Sequence, residues 1–229
     1  GHALVVASDP AFLPGVAASF DAVGLATDAS GRGERIHVQS WPLGADAGRQ
    51  AAEALLAEHP SLSAGIFVEK PGPNDRGVFH TSSGKPKDPA SVAHLHLLAE
   101  ALTARQRVTI GVGDGGNEIG FGSVGRSLEA TLALARDCGC GCGGGVVNAT
   151  AVDALVSAST SNWGAYGVAV ALALITRERA GLPPVEAVRS SVEASVRAGA
   201  NDGYSGQNVS TVDGTSLPAD LVVIGVGVR

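Results

Sequence analysis

The sequence is poor in the features that most often betray a macromolecular partner. None of its 229 residues is methionine, 4 % are aromatic and 17 % are charged, with no stripe of Lys or Arg. A net charge of −6 without a basic patch argues against duplex nucleic acid and anionic membranes and leaves a small molecule as the expected partner. No apolar run approaches the roughly 20 residues of a spanning helix. The opening GHALVVASDP has neither the basic region nor the long apolar region of a secretory signal. Methionine is missing even at position 1 and Gly1-His2 resembles the remnant of a cleaved tag, so the sequence reads as a fragment or as one written without its methionines. Cysteine is confined to Cys138, Cys140 and Cys142. An odd number of thiols and no signal point to a reducing, cytoplasmic compartment. Zinc sites usually add a second knuckle or histidines, and none is evident near these three, so they are expected as small thiols of a Gly-rich loop or strand.

What is present is alternation. Residues 3–8 read as a buried strand, 12–25 as a helix closed by Gly24, and 35–41 as a strand. Residues 46–59 form a helical pattern capped by Asp46, and 63–70 return as a strand. Next come a helix over 88–104, with Asp88 as cap and Pro89 in its first turn, and a strand over 107–113. Helices are expected at 127–137, at 162–181 with Gly181 as stop, and at 183–199; the apolar run 219–228 reads as a buried strand. Repeated β-α units predict an α/β fold: a mostly parallel sheet with helices on both faces, a Rossmann-like three-layer sandwich. No repeat or linker divides the chain, so residues 1–229 are expected as a single domain, with room for a C-terminal helical subdomain at 150–200. A homo-oligomer is left open.

In such a sheet ligands bind where loops leave the carboxyl ends of strands. Two loops qualify, EKPGPNDRGVFH (69–80) and GVGDGGNEIGFG (111–122). The second sets six glycines around Asp114, Asn117 and Glu118. A phosphate cradle is disfavoured by those carboxylates, and no Walker lysine follows. Their oxygens suit Mg²⁺ or Mn²⁺, or a base and an amide clamp for a polar substrate. Turn formation and helix capping are the structural alternative, but turns alone rarely demand so many glycines. His80 is read either as an acid or as a satisfied loop histidine. His94 and His96, two apart on an expected helix, face different ways and read as incidental. Ser161 or Asn162 is the natural cap before Trp163, itself expected to pack; Asp202 and Asp213 read as Asp-Gly turns, Asp202 with a remote chance of reaching the cleft.

The blocks VEKPGPNDRGVFH, IGVGDGGNEIGFG, TSNWGAYGVAVAL and TVDG resemble those of the D-glutamate cyclase family, from about Glu69 to Gly214. Departures are Phe121 where the family usually has Met, TSSGKP after the His, and CGCGCGGG. The resemblance implies a hydro-lyase that closes D-glutamate to 5-oxo-D-proline and water by attack of the α-amine on the γ-carboxyl. It implies Glu69, Asp114 and Glu118 as catalytic residues. Asn117, Asn162, Gly115, Gly116 and His80 are implied as substrate-binding, and Asp114 and Glu118 as ligands if Mg²⁺ or Mn²⁺ is used; no cofactor is certain. The alternatives are a non-catalytic domain that binds an amino-diacid and a metal-dependent hydrolase using the same acidic loop.

Overall fold

A computed structural model describes residues 4–25, 36–178 and 182–216. In chain order it contains β1 (Leu4–Ser8), α1 (Leu13–Ala22), β2 (Ile36–Ser40), α2 (Ala45–Glu58) and β3 (Ala64–Val68). A hairpin, β4 (Phe79–His80) and β5 (Pro86–Lys87), precedes α3 (His96–Ala104) and β6 (Val108–Gly113). Then follow α4 (Gly125–Thr131), α5 (Ala133–Arg136), β7 (Ala154–Ser157), α6 (Ser161–Thr176), α7 (Val185–Arg197) and a second hairpin of β8 (Thr211–Val212) and β9 (Thr215–Ser216). The fold is mixed α/β with parallel sheets, but the sheets are small. The expected strand over 219–228 and the stop at Gly181 lie outside the described residues.

The chain divides into two compact units, one of residues 1–41 and 165–229, the other of residues 42–164. In the first, β1 and β2 pair in parallel from Leu4 opposite Ile36 to Ser8 opposite Ser40, and α1 packs against α7. Gly15 brings these helices together, since a Cβ there would lie 3.5 Å from that of Ala200 and 3.6 Å from that of Ser195. Asp213 and Gly214, both at positive φ, make the tight turn between β8 and β9.

The second unit is built on a parallel sheet in the order β3-β6-β7. Strand β7 went unread in the sequence, because ALVS is too short to show a period. Its pairing with β6, Ile110 opposite Ala154 through Gly113 opposite Ser157, makes β6 the central strand. Gly65 on β3 admits α3, whose Leu102 would stand 2.6 Å from an added Cβ. Gly164 in the first turns of α6 approaches Val112 to 2.8 Å by the same measure. Val112 and Gly65 belong to alternate rows of the pleat, so Gly164 and Leu102 lie on opposite faces of the sheet.

Several helix boundaries differ from expectation. Gly44, not Asp46, precedes α2, and Asp46 sits in its first turn. The 88–104 helix is interrupted: Asp88 Oδ1 accepts from Ala90 N at 2.9 Å to cap a short 3-10 turn, Val92 is extended, and α3 begins at His96. An isolated bridge between Leu43 and Ala93 competes with helix there. The 127–137 helix breaks at Leu132, which is extended. Helix α6 ends at Thr176, before Arg177 at φ 60. No helix among the described residues is long and apolar enough to cross a membrane.

That interruption changes the reading of His94 and His96. Both are buried, at 5 % and 7 % exposure, with ring centroids 5.2 Å apart and each set edge-on to Phe79. They are core rings, not incidental ones. The pKa of His96 is lowered to about 4, first by burial and then by the charges of His94 and Arg49. A depressed folded pKa means the unfolded chain binds a proton that the fold refuses. The resulting stability is complete above pH ~6.5 and is lost as pH falls toward 4, by up to about 3 kcal/mol. Urea unfolding at pH 7 and pH 4.5 should show this loss in the wild type and a smaller one in His96→Gln; equal losses would refute the assignment.

Candidate active site at the carboxyl edge of the sheet

Three parallel strands deliver three side chains to one edge. Glu69 follows β3, Asp114 follows β6, and Ser161 opens α6 just beyond β7. The ladder continues past the strands, with Glu69 N donating to Val112 O at 3.0 Å and Ala158 N to Gly113 O at 3.1 Å. Ser161 is fully buried, and its hydroxyl lies between two carboxylates, within hydrogen-bonding reach of Glu69 Oε2 and 3.0 Å from Asp114 Oδ2. Its backbone N–H also donates to Asp114 Oδ2 at 2.9 Å. Asp114 thus places a negative charge at the N-terminus of a 16-residue helix, where exposed N–H groups and the helix dipole favour it. Neither Ser161 nor Asn162 is the helix cap, for Thr160 precedes both and its carbonyl accepts from Trp163 N at 3.0 Å. Asn162 follows in the first turn, half-buried.

Glu118 arrives from within the glycine loop. It is 2 % exposed. Oε1 accepts from Gly115 N at 2.8 Å and from Asp114 N at 3.2 Å, while Oε2 is buried with no partner among the described residues. One carboxylate oxygen each from Glu69, Asp114 and Glu118 falls within a 4.8 Å group, a hard-oxygen set that fits a divalent cation. Glu69 is exposed and holds φ 54, which for a residue other than glycine is strain of the kind found at functional sites.

The 69–80 and 111–122 loops meet side by side. Ile119 N donates to Lys70 O at 2.8 Å and Gly72 N to Asn117 O at 3.0 Å, around a bridge between Pro71 and Glu118. Buried Asn148 locks the pair, its N–H donating to Gly116 O at 2.9 Å and its amide to Pro73 O at 3.2 Å. This proximity explains the glycines. A Cβ on Gly113 would sit 2.7 Å from the Phe121 ring and 2.9 Å from Glu118 Cβ, and Gly116 turns at φ 90. Gly115 has committed its N–H to Glu118, so Gly116 is the one of the expected substrate-binding pair without that commitment.

His80 is fully buried and faces other chemistry. Its Nε2 lies 3.3 Å from Cys140 Sγ and 3.9 Å from Cys142 Sγ, and Cys138 Sγ is 2.8 and 3.4 Å from the same two sulfurs. The ring therefore serves the thiols, and the loop receives its main-chain carbonyl, which accepts from Asn117 Nδ2 at 3.1 Å. Burial lowers the pKa of His80 against the opposing pull of the Val78 backbone. Contact with Cys138 pushes the Cys140 thiol up to about 11. For Cys142 burial opposes ionisation, but donation from Asn74 and Cys138 outweighs it and its pKa falls. Taking the cysteines as isolated loop thiols missed this arrangement, since Cys140 is 60 positions from His80. Ser161 was missed as a site residue too, and its place before Asn162-Trp163 is no signal without β7.

Asp202, in the other unit, spends its carboxylate on its own turns. Oδ1 accepts from Ser205 N at 2.7 Å and Oδ2 from Gly214 N at 2.9 Å. Burial would raise its pKa, yet these bonds, with those from the Ser205 and Thr211 side chains, hold it well below the usual range.

Gly113→Ala should cost about 1–3 kcal/mol in urea unfolding, because the new methyl overpacks against Phe121 and Glu118. Gly167→Ala, mid-helix in α6 with nothing within 4 Å of the added Cβ, should gain about 0.5–1 kcal/mol. Similar effects of both would show that the loop is not closely packed.

A family model described as D-glutamate cyclase-like, C-terminal, matches residues 5–224, nearly the whole chain. No individual curated protein matches it.

Proposed function

Because the chain belongs to the D-glutamate cyclase-like family, we propose that it is a lyase of that type, closing D-glutamate to 5-oxo-D-proline and water at the carboxyl edge of β3, β6 and β7. The observation that carries the reading is the convergence of Glu118, whose Oε2 is buried and without a partner among the described residues, with Asp114 and Glu69. Convergent carboxylates repel unless a proton or cation lies among them, and the substrate ammonium is such a cation. The Rossmann-like layering expected from the sequence belongs to this reading as the scaffold that gathers the loops.

Cyclisation has two demands, a neutral amine and a γ-carboxyl willing to accept attack. Glu118 and Asp114 hold the ammonium. Glu69, the exposed member, takes a proton from the nitrogen before attack and a second after the C–N bond forms, and returns both in turn to the departing oxygen: a C–O bond breaks and that oxygen leaves as water. Ser161 keeps Glu69 and Asp114 at a fixed separation, donating its hydroxyl to the first and its backbone N–H to the second. Asn117, tethered to the His80 carbonyl, and Asn162 orient the substrate carboxylates. The same three carboxylates suit Mg²⁺ or Mn²⁺, which when bound would supply neutralisation of the γ-carboxylate.

Incubation with D- and L-glutamate, with and without Mn²⁺, followed by detection of 5-oxoproline, tests the reading. Product from the D-enantiomer is expected; none from folded protein under any of these conditions would sink it. Glu118→Gln keeps an oxygen for the Gly115 and Asp114 N–H groups but replaces the free Oε2. It should lower kcat at least ~100-fold with little change in Tm. A variant that stays active would take Glu118 out of the chemistry, and one that loses its thermal transition would make it a structural residue.

A further inference from the structure

We propose that His80, Cys138, Cys140 and Cys142 form a closed tetrahedral Zn²⁺ site, separate from the carboxylates, that fastens the β4 hairpin to the 138–145 loop. One ligand atom from each of the four residues falls within a 4.8 Å group. In a mononuclear tetrahedral site with Zn–S near 2.3 Å, ligand atoms are separated by about 3.5–3.8 Å. The separations here bracket that value: 3.3 and 3.9 Å from His80 Nε2 to Cys140 and Cys142, 2.8 and 3.4 Å from Cys138 to the same sulfurs. The sulfurs are too close to surround an iron–sulfur cluster, so the site takes a single ion.

The loop is shaped for this purpose. In an extended strand, alternate residues share a face but stand roughly 6.5–7 Å apart. Here Gly139, Gly141 and Gly143 take φ 73, 87 and 78, curling the chain so that the three intervening thiols converge. Cys138 N donates to Gly144 O at 3.0 Å and closes the curl. Support from outside the ligand set is also present. Asn74 Nδ2 lies 3.5 Å from Cys142 Sγ and 2.8 Å from Gly145 O, and Cys140 N lies 3.3 Å from Cys138 Sγ, the N–H···S donation that stabilises thiolates. The ligand class selects the metal. Thiolate and imidazole favour Zn²⁺ and exclude Mg²⁺ or Mn²⁺, which take oxygen. Four protein ligands, two of them buried, leave no open position, so the ion is structural rather than catalytic. Its effect reaches the glycine loop through the His80 carbonyl, which holds the Asn117 amide.

The experiment uses untagged, full-length chain purified under reducing conditions. Elemental analysis should find about one Zn per chain in the wild type and in Glu118→Gln, and a loss of most of it in Cys140→Ser and His80→Ala. His80→Cys, which offers a fourth thiolate, should retain it. Replacement by Co²⁺ should give a thiolate-to-cobalt charge-transfer band and the intense visible bands of tetrahedral coordination. That readout uses the wild type and so stands if a variant fails to fold. A wild type with no more zinc than Cys140→Ser, a cobalt form without the charge-transfer band, or a Cys138–Cys140 disulfide found by thiol counting would each overturn the proposal. Zinc loss in Glu118→Gln equal to that in Cys140→Ser would place the ion at the carboxylates instead and overturn it as well.

Discussion

Burial of the Glu118 carboxylate is the constraint on which the candidate site depends. An ionised group removed from water loses several kcal/mol of solvation, and each charge-assisted hydrogen bond returns only about 1.5–3 kcal/mol. Two N–H groups on Oε1 offset part of that cost and leave Oε2 unsatisfied. Those N–H groups can converge only if the loop doubles back on itself at once. Doubling back brings Glu118 against Gly113 and lays residues 70–72 beside 117–119. The close packing at Gly113 and the bridge at Pro71 are consequences of one requirement: to hold that carboxylate inside the fold.

The parts of this arrangement that were legible in the sequence depend on local pattern. Strands β1, β3 and β6 showed as apolar runs, and α2 and α7 as amphipathic periods, because burial of one face or of a whole strand imposes those patterns directly. Glu69 and Asp114 stood out because an acidic residue immediately past an apolar strand has a definite address in a parallel sheet. The interrupted 88–104 segment was not legible: its periodicity is helical, and the pairing of Ala93 with Leu43 that overrides it is tertiary. Strand β7 is four residues long, and without it Ser161 has no reason to lie beside Asp114. The approach of His80 to the cysteines depends on chain closure over 60 positions, which no local spacing encodes.

His80 joins two sites of opposite chemical character. Its imidazole faces soft sulfur, while its carbonyl fixes an amide beside hard carboxylate oxygens. Ligand softness keeps ions in register with these sites: thiolates hold Zn²⁺ against Mg²⁺ or Mn²⁺, whereas a carboxylate set tolerates exchange and can surrender its place to a substrate ammonium. The Cys₃His centre has no vacant position, so it acts only mechanically, by deciding where β4 lies. The Asn117 amide hangs on that strand by one hydrogen bond, and Asn117 is one residue from Glu118. Displacing His80 therefore acts first on the Asn117 amide, whereas Glu69 and Asp114 are held independently by β3, β6 and the N-terminus of α6. In the proposed reaction, substrate orientation and acid–base chemistry would thus rest on different supports within one unit, the first on a soft-ligand clamp and the second on the parallel sheet.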